Sequence, residues 1–246
     1  MSSLLSVRNL SYSYQGMKDF SGYGISLPSL DLSKGEALCI TGESGCGKST
    51  LLECLSLLRS DVKFDDYVFS DVKLSSLSEK NRSALRSAFM GFMPQSGGLI
   101  SYLNVTDNLK LQIKVSLERR FAFTNIREDE KALTDRAMEL LDNFSLLSYA
   151  KAYPHELSIG QRQRVVFLKS LCHDPKLIMI DEPTSALDPE NGRKLFDLIL
   201  KITRERNTSV LIVTHDLSLV HEYFDRTLNF ESTSAGRGQF VLKELV

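Results

Sequence analysis

Residues Gly42-Glu43-Ser44-Gly45-Cys46-Gly47-Lys48-Ser49 constrain this chain more than any other segment. They spell GxxxxGK[ST] between an apolar stretch, Glu36–Ile40, and a helix-patterned stretch, Leu51–Leu58. Strand, glycine-rich loop, helix is the context the motif requires. The glycines let the backbone curl until successive N–H groups point at one anion. A helix starting near Lys48 adds its positive end. Lys48 then reaches the β- and γ-phosphates as a mobile point charge, and Ser49 offers a hydroxyl to Mg²⁺. Residues Gly42 to Thr50 therefore form a nucleotide-phosphate cradle.

A second motif supports the first. Leu177-Ile178-Met179-Ile180 is an apolar strand that ends in Asp181-Glu182. Asp181, at the strand's C-terminal edge, is placed to hold the Mg²⁺ shell, and Glu182 to polarise a water for in-line attack on the γ-phosphate. Strand C-termini are where open α/β sheets bind ligands.

The rest of the chain alternates. Ser6–Leu10 and Ile25–Leu32 read as strands, with turns at Gln15-Gly16 and Lys34-Gly35. Glu79–Phe89 reads as a helix and Gly91–Met93 as a strand. Asn108–Leu117 and Asp129–Leu147 have a 3.6-residue apolar period, marking a largely helical insertion over about 96–155. Asn191–Arg206 and Leu217–Phe224 read as helices, Val210–Val213 as a strand, and the tail as a hairpin around Ser234-Ala235-Gly236. Alternating strands and helices predict a largely parallel sheet flanked by helices. The mixed charges from Glu118 to Arg136 read as a solvated face.

Composition excludes several classes. Thirty basic residues balance thirty-one acidic ones, so no excess charge favours nucleic acid. No apolar run approaches a membrane span, and the first residues lack the apolar core of an export signal. Cys39, Cys46, Cys54 and Cys172 fit neither a metal site nor a disulfide framework and predict a reducing cytosol. Cys39, Cys54 and Cys172 read as small buried hydrophobes.

Further residues carry a resemblance. Leu157-Ser158-Ile159-Gly160-Gln161 is similar to the LSGGQ signature of ABC transporter ATP-binding subunits, with Ile159 in place of the middle glycine. Gln95 falls where that family has its Q-loop glutamine. Ser185-Ala186-Leu187-Asp188 resembles the D-loop, His215 the switch histidine, and Tyr14 the aromatic that stacks on adenine, with Tyr12 as a rival. Leu74-Ser75-Ser76-Leu77-Ser78, Leu85-Arg86 and Gly91-Phe92-Met93 look most like the lipoprotein-release, macrolide-export and cell-division group. Phe89-Met90, Pro94 to Gly98, and Arg59-Ser60-Asp61 depart from that group's pattern.

The resemblance implies a P-loop NTPase fold: a RecA-like parallel-sheet core with an N-terminal antiparallel β subdomain (together 1–95 and 156–246) and a helical subdomain at about 96–155. It implies an ATPase using ATP and Mg²⁺, with Ser49, Gln95 and Asp181 at the metal and Glu182, His215, Lys48 and Gln95 in catalysis. It implies a head-to-tail dimer with a second copy or a homologous subunit. Each ATP then lies between Gly42–Thr50 of one chain and Ser158, Gly160 and Gln161 of the other, with Asp188 contacting across the interface. Separate transmembrane subunits would hold the dimer at the cytoplasmic face of the inner membrane. A soluble family member acting on nucleic acid or ribosomes is the alternative.

Overall fold

The computed structural model describes residues 3–13, 24–124, 129–216, 220, 223–224, 226–232 and 240–244. In chain order the elements are β1 (Ser3–Ser13), β2 (Gly24–Ser33), β3 (Ala37–Thr41), α1 (Lys48–Leu55), β4 (Asp66–Phe69), β5 (Val72–Lys73), α2 (Glu79–Phe89), β6 (Met90–Met93), α3 (Val105–Thr124), α4 (Glu130–Asn143), α5 (Ile159–Leu171), β7 (Leu177–Asp181), α6 (Pro189–Glu205), β8 (Ser209–Val213), β9 (Arg226–Ser232) and β10 (Phe240–Glu244). Short 3₁₀ turns at Leu74–Ser76, Leu147–Tyr149 and Pro154–Glu156 join them.

Two sheets form. One is antiparallel, in the order β2-β1-β4-β5. The other runs β10-β9-β3-β8-β7-β6 and is parallel except for its β9–β10 hairpin edge. The sequence explains the difference. β3, β7 and β8 are apolar but for one terminal residue each, Thr41, Asp181 and Ser209, and are buried at every position, as strands covered on both faces must be. β1 and β2 carry exposed polar residues among their buried ones and so face solvent on one side.

Parallel pairing fixes where the chemistry goes. Ile40 pairs with Val213, Asp181 with Val213, and Met93 with Ile180. The C-terminal ends of β3, β6, β7 and β8 therefore lie along one edge. From that edge leave the loops bearing Gly42–Ser49, Gln95, Glu182 and His215.

The helices start on side-chain caps where the sequence supplies them. Ser78, Asp129, Ser158 and Asp188 each accept the backbone N–H three residues on. Three predicted boundaries move. α1 ends at Leu55 rather than Leu58, because Leu57 turns left-handed. α3 extends well beyond Asn108–Leu117 at both ends. α4 stops at Asn143, with Ser145 left-handed, and a 3₁₀ turn takes up the apolar spacing to Leu147. The tail does fold back as the β9–β10 pair. The turns at Gln15-Gly16 and Ser234–Gly236 and most of the Leu217–Phe224 helix lie outside the described residues.

One buried cluster joins α3, α4 and α5 to β7, β8 and α6; another joins the antiparallel sheet to α1 and the opposite face of the parallel sheet. The helical insertion thus shares its core with the strand that carries Asp181. The charge-rich stretch Glu118–Arg136 is not wholly a solvated face. Arg120 donates to the carbonyls of Ala88, His173 and Asp174, and Arg136 pairs with Asp174. Those carbonyls lie at the end of α2 and the turn after α5, and the Ser116 hydroxyl also donates to that of Ala88. All four cysteines are free and buried; burial pushes the thiols of Cys39, Cys54 and Cys172 up to about 12.

Candidate active site

The loop after β3 depends on two glycines. Gly42 has φ 150°, and a Cβ there would stand 2.6 Å from the carbonyl oxygen of Phe230 on β9. Gly47, at φ 98°, turns the chain directly into α1. The first bond of that helix runs from Leu51 N–H to Gly47 O, so the amides just ahead have no intrahelical acceptor. They and the positive end of the helix form a cradle for an anion. Glu43, Ser44 and Gly45 are exposed at its mouth, while Cys46 is buried beneath it with Sγ 4.0 Å from Lys48 Nζ. Thr50 is buried on α1.

Lys48 is buried, and its ammonium donates to the carbonyls of Gly42 and Glu43, both at 2.8 Å. It also lies 3.9 Å from Glu182 Oε1. The other carboxylate oxygen of Glu182 sits 2.7 Å from His215 Nδ1. Glu182 is thus held between a buried cation and a half-exposed imidazole. Its backbone is left-handed, with φ 45°, and its N–H donates to Val213 O. A non-glycine residue in that region carries strain that neighbouring structure must hold in place. Thr214 helps: its N–H donates to Ile40 O and its hydroxyl accepts from Asp216 N, fixing the turn that presents His215.

Beside this pair, Ser49 Oγ donates to Asp181 Oδ1 at 3.1 Å. Burial raises the Asp181 carboxyl above its ordinary value, against the bond from Ser49. A hydroxyl and a carboxylate at this spacing are hard oxygen donors, the set that Mg²⁺ takes. The residues present fit that ion.

The remaining predicted residues lie elsewhere. Gln95 is exposed, two residues beyond β6, on the same sheet edge. Ser158 caps α5: its hydroxyl accepts from Gln161 N, and the Gln161 side chain returns to Ser158 N and reaches Tyr149 Oη. Ser158 and Ile159 are exposed and Gly160 is half-buried, so this helix start is open to solvent. Asp188 caps α6 through the backbone and side-chain amides of Asn191, which hold its carboxyl below the ordinary range. Tyr14 lies outside the described residues. Tyr12, its rival, contacts Arg59 through its hydroxyl and has that guanidinium 5.5 Å from its ring centre. Arg59 in turn pairs with Glu53. Phe230 and Thr214 were not legible as site residues. One acts through a backbone carbonyl and the other through a turn, and neither has a motif.

The model for the family described as ABC transporter matches residues 26–185. The chain belongs to that family. The methionine import ATP-binding protein MetN 4 of Oceanobacillus iheyensis is 35% identical over 83% of this chain and 56% of the relative. The lipoprotein-releasing system ATP-binding protein LolD of Buchnera aphidicola subsp. Schizaphis graminum is 37% identical over 78% of this chain and 79% of the relative. The chain spans a little over half the length of the methionine-import relatives it matches. Among solved structures, the dimeric post-hydrolysis state of the ATP-binding cassette MJ0796 bound to ADP and Pi superposes with a TM-score of 0.76 and 26% identity, covering 98% of this chain and 99% of that one. The P-loop NTPase fold expected from the sequence is therefore the fold of this family. The lipoprotein-release group is represented among the relatives, alongside an import group that the sequence had not suggested.

Proposed function

We propose that this chain is the ATP-binding and ATP-hydrolysing subunit of an ABC transporter or mechanotransmission complex. It works as a head-to-tail dimer docked on separate membrane subunits. The observation that carries the reading is the placement of Glu182 between Lys48 and His215, one residue from the Asp181–Ser49 pair.

The phosphates of ATP enter the cradle of Gly42 to Thr50, where backbone amides and the start of α1 bind them. Lys48 exchanges the carbonyls of Gly42 and Glu43 for the β- and γ-phosphate oxygens. Ser49 and Asp181 would hold Mg²⁺, with Gln95 on the same edge; the ion would supply positive charge to the phosphate oxygens. Glu182 takes a proton from water as the water oxygen bonds to the γ-phosphorus and the bond to the β-bridging oxygen breaks, releasing ADP. His215 orients Glu182 and the water. Tyr14 stacks on adenine, since Tyr12 is engaged by Arg59.

Ser158, Gly160 and Gln161 stand at an exposed helix start, suited to the γ-phosphate held by a partner. Asp188 contacts across the same interface. Two dimeric structures of one similar cassette, MJ0796, support this arrangement. Residues 96–155 form the helical subdomain. A groove of about 340 Å³ where it meets the core is lined by Leu58, Arg86, Phe92, Gly98, Val115 and Lys169. It receives the cytoplasmic segment of the membrane partner. No helix of the described residues is long and apolar enough to cross a membrane. As in a subunit docked on separate membrane chains, the proposed location is peripheral, at the cytoplasmic face.

The test is a pull-down of tagged Glu182→Gln from detergent-solubilised membranes with ATP and Mg²⁺. A multi-pass membrane protein at about equal stoichiometry supports the reading. Recovery of ribosomes, nucleic acid or soluble chains alone overturns it.

A further inference from the structure

The groove beside β6 contains a contact that the proposed mechanism does not use. Lys169, in the last turn of α5, sends its ammonium away from its own helix to the carbonyl of Gly98, at 2.6 Å. A cation in a last helical turn ordinarily serves its own helix's carbonyls. Here the acceptor belongs to the loop that carries Gln95. The same loop presses on α5 at a second point. Gly98 is left-handed at φ 84°, and a Cβ there would come within 2.8 Å of Val166 Cγ1. Burial lowers the Lys169 pKa, as expected for a head group drawn out of water. Its backbone partner therefore matters more than it would at the surface.

We infer that Lys169 is a positioning residue that fastens the Gln95 loop to α5, so that the loop and the exposed Ser158–Gly160 end of that helix move as one piece. The inference rests on the proposed roles of Gln95 and the α5 start. α5 is a continuous helix of 13 residues. Its start lies roughly 14 Å from Lys169 along the axis, so a displacement at Gly98 is carried to Gly160 by a rigid element. Lys169 and Gly98 also line the groove proposed for the membrane partner. A segment seated there touches the link directly.

The test compares the full chain with Lys169→Met and Lys169→Arg. Methionine keeps the apolar stem and removes the donor; arginine keeps a donor of similar reach. Two readouts are taken: steady-state ATP turnover, and hydrogen exchange of residues 96–100 without nucleotide. For Lys169→Met the expected results are exchange at 96–100 at least tenfold faster and kcat lower by roughly 3- to 30-fold, with the KM for ATP within about twofold. Exchange at 42–50 stays unchanged, and Lys169→Arg restores both readouts. Unchanged exchange at 96–100 in Lys169→Met overturns the link, whatever the turnover. Faster exchange with wild-type kcat overturns its role in coupling. If the unsubstituted chain does not hydrolyse ATP, the proposed function fails, and the exchange comparison still decides whether Lys169 fastens the loop.

Discussion

Gly42→Ala probes the nucleotide cradle at its tightest point. The added methyl would meet the Phe230 carbonyl at 2.6 Å and Cys46 Sγ at 3.1 Å, on a backbone at φ 150°. The carbonyl cannot yield easily, because β9 is paired on both sides, with β3 and with β10. The loop must therefore retreat by roughly 1 Å to regain ordinary contact distance. Strain in a glycine-only region costs about 1–3 kcal/mol. At roughly 2–4 °C per kcal/mol for a chain of this size, about 2 kcal/mol lowers the melting temperature by about 4–8 °C. The same retreat moves the amides that face the phosphates, and a 1 Å misplacement costs up to roughly 100-fold in turnover. The assay is thermal unfolding with and without ATP, paired with equilibrium binding of a fluorescent ATP analogue. The expected result is a lower melting temperature and at least tenfold weaker binding. A melting temperature within roughly 1 °C of the parent, with unchanged affinity, would refute the reasoning that this loop is held against β9 by the absence of a side chain.

Other predictions concern different parts of the account. Ser158→Arg should leave nucleotide binding by the isolated chain intact while abolishing hydrolysis, read by binding and phosphate release on one preparation; loss of binding instead would place this segment in its own chain's site. Arg120→Met removes a donor shared by three carbonyls and a cation 5.1 Å from the Phe89 ring, and should cost about 2–4 kcal/mol in chemical denaturation. A loss under about 0.5 kcal/mol would show that the insertion is not held there. His173 is buried with its pKa lowered to about 4 by desolvation. The unfolded chain therefore binds the extra proton first, and stability is full above about pH 6.5 and falls as pH drops toward 4, by about 3 kcal/mol over that window. His173→Gln should lose less stability than the parent between pH 7 and pH 4.5; an identical loss would remove His173 as the cause.

The core of the site was legible because its residues act through types and spacings that nothing else explains. Lys48 and Ser49 follow a glycine loop, and Asp181-Glu182 closes a fully apolar strand. Parallel pairing then does the rest, since β3, β7 and β8 can only deliver their loops to one edge. What the sequence did not reveal depends on long-range geometry. The contact of His215 with Glu182 needs the left-handed turn at Glu182, which no local pattern announces. Arg120 and Arg136 sit in a run of mixed charge that looks solvated, yet they are drawn onto carbonyls and a carboxylate from elements about 30 to 50 residues away. Arg59, which stood out as a departure from the family pattern, is bonded to Glu53 and Tyr12. Helix ends moved where a left-handed residue, Leu57 or Ser145, stopped a helix that apolar spacing would have continued.

The central claim is that Glu182 is the base of an ATP hydrolysis completed by a second chain. The most direct measurement is steady-state ATP turnover of Glu182→Gln beside its ATP affinity and its oligomeric state with ATP and Mg²⁺ by size-exclusion chromatography. The account predicts turnover at least about 100-fold lower, unchanged affinity, and a stable ATP-bound dimer. Turnover at the parent rate, or tight ATP binding by a chain that stays monomeric, would contradict it.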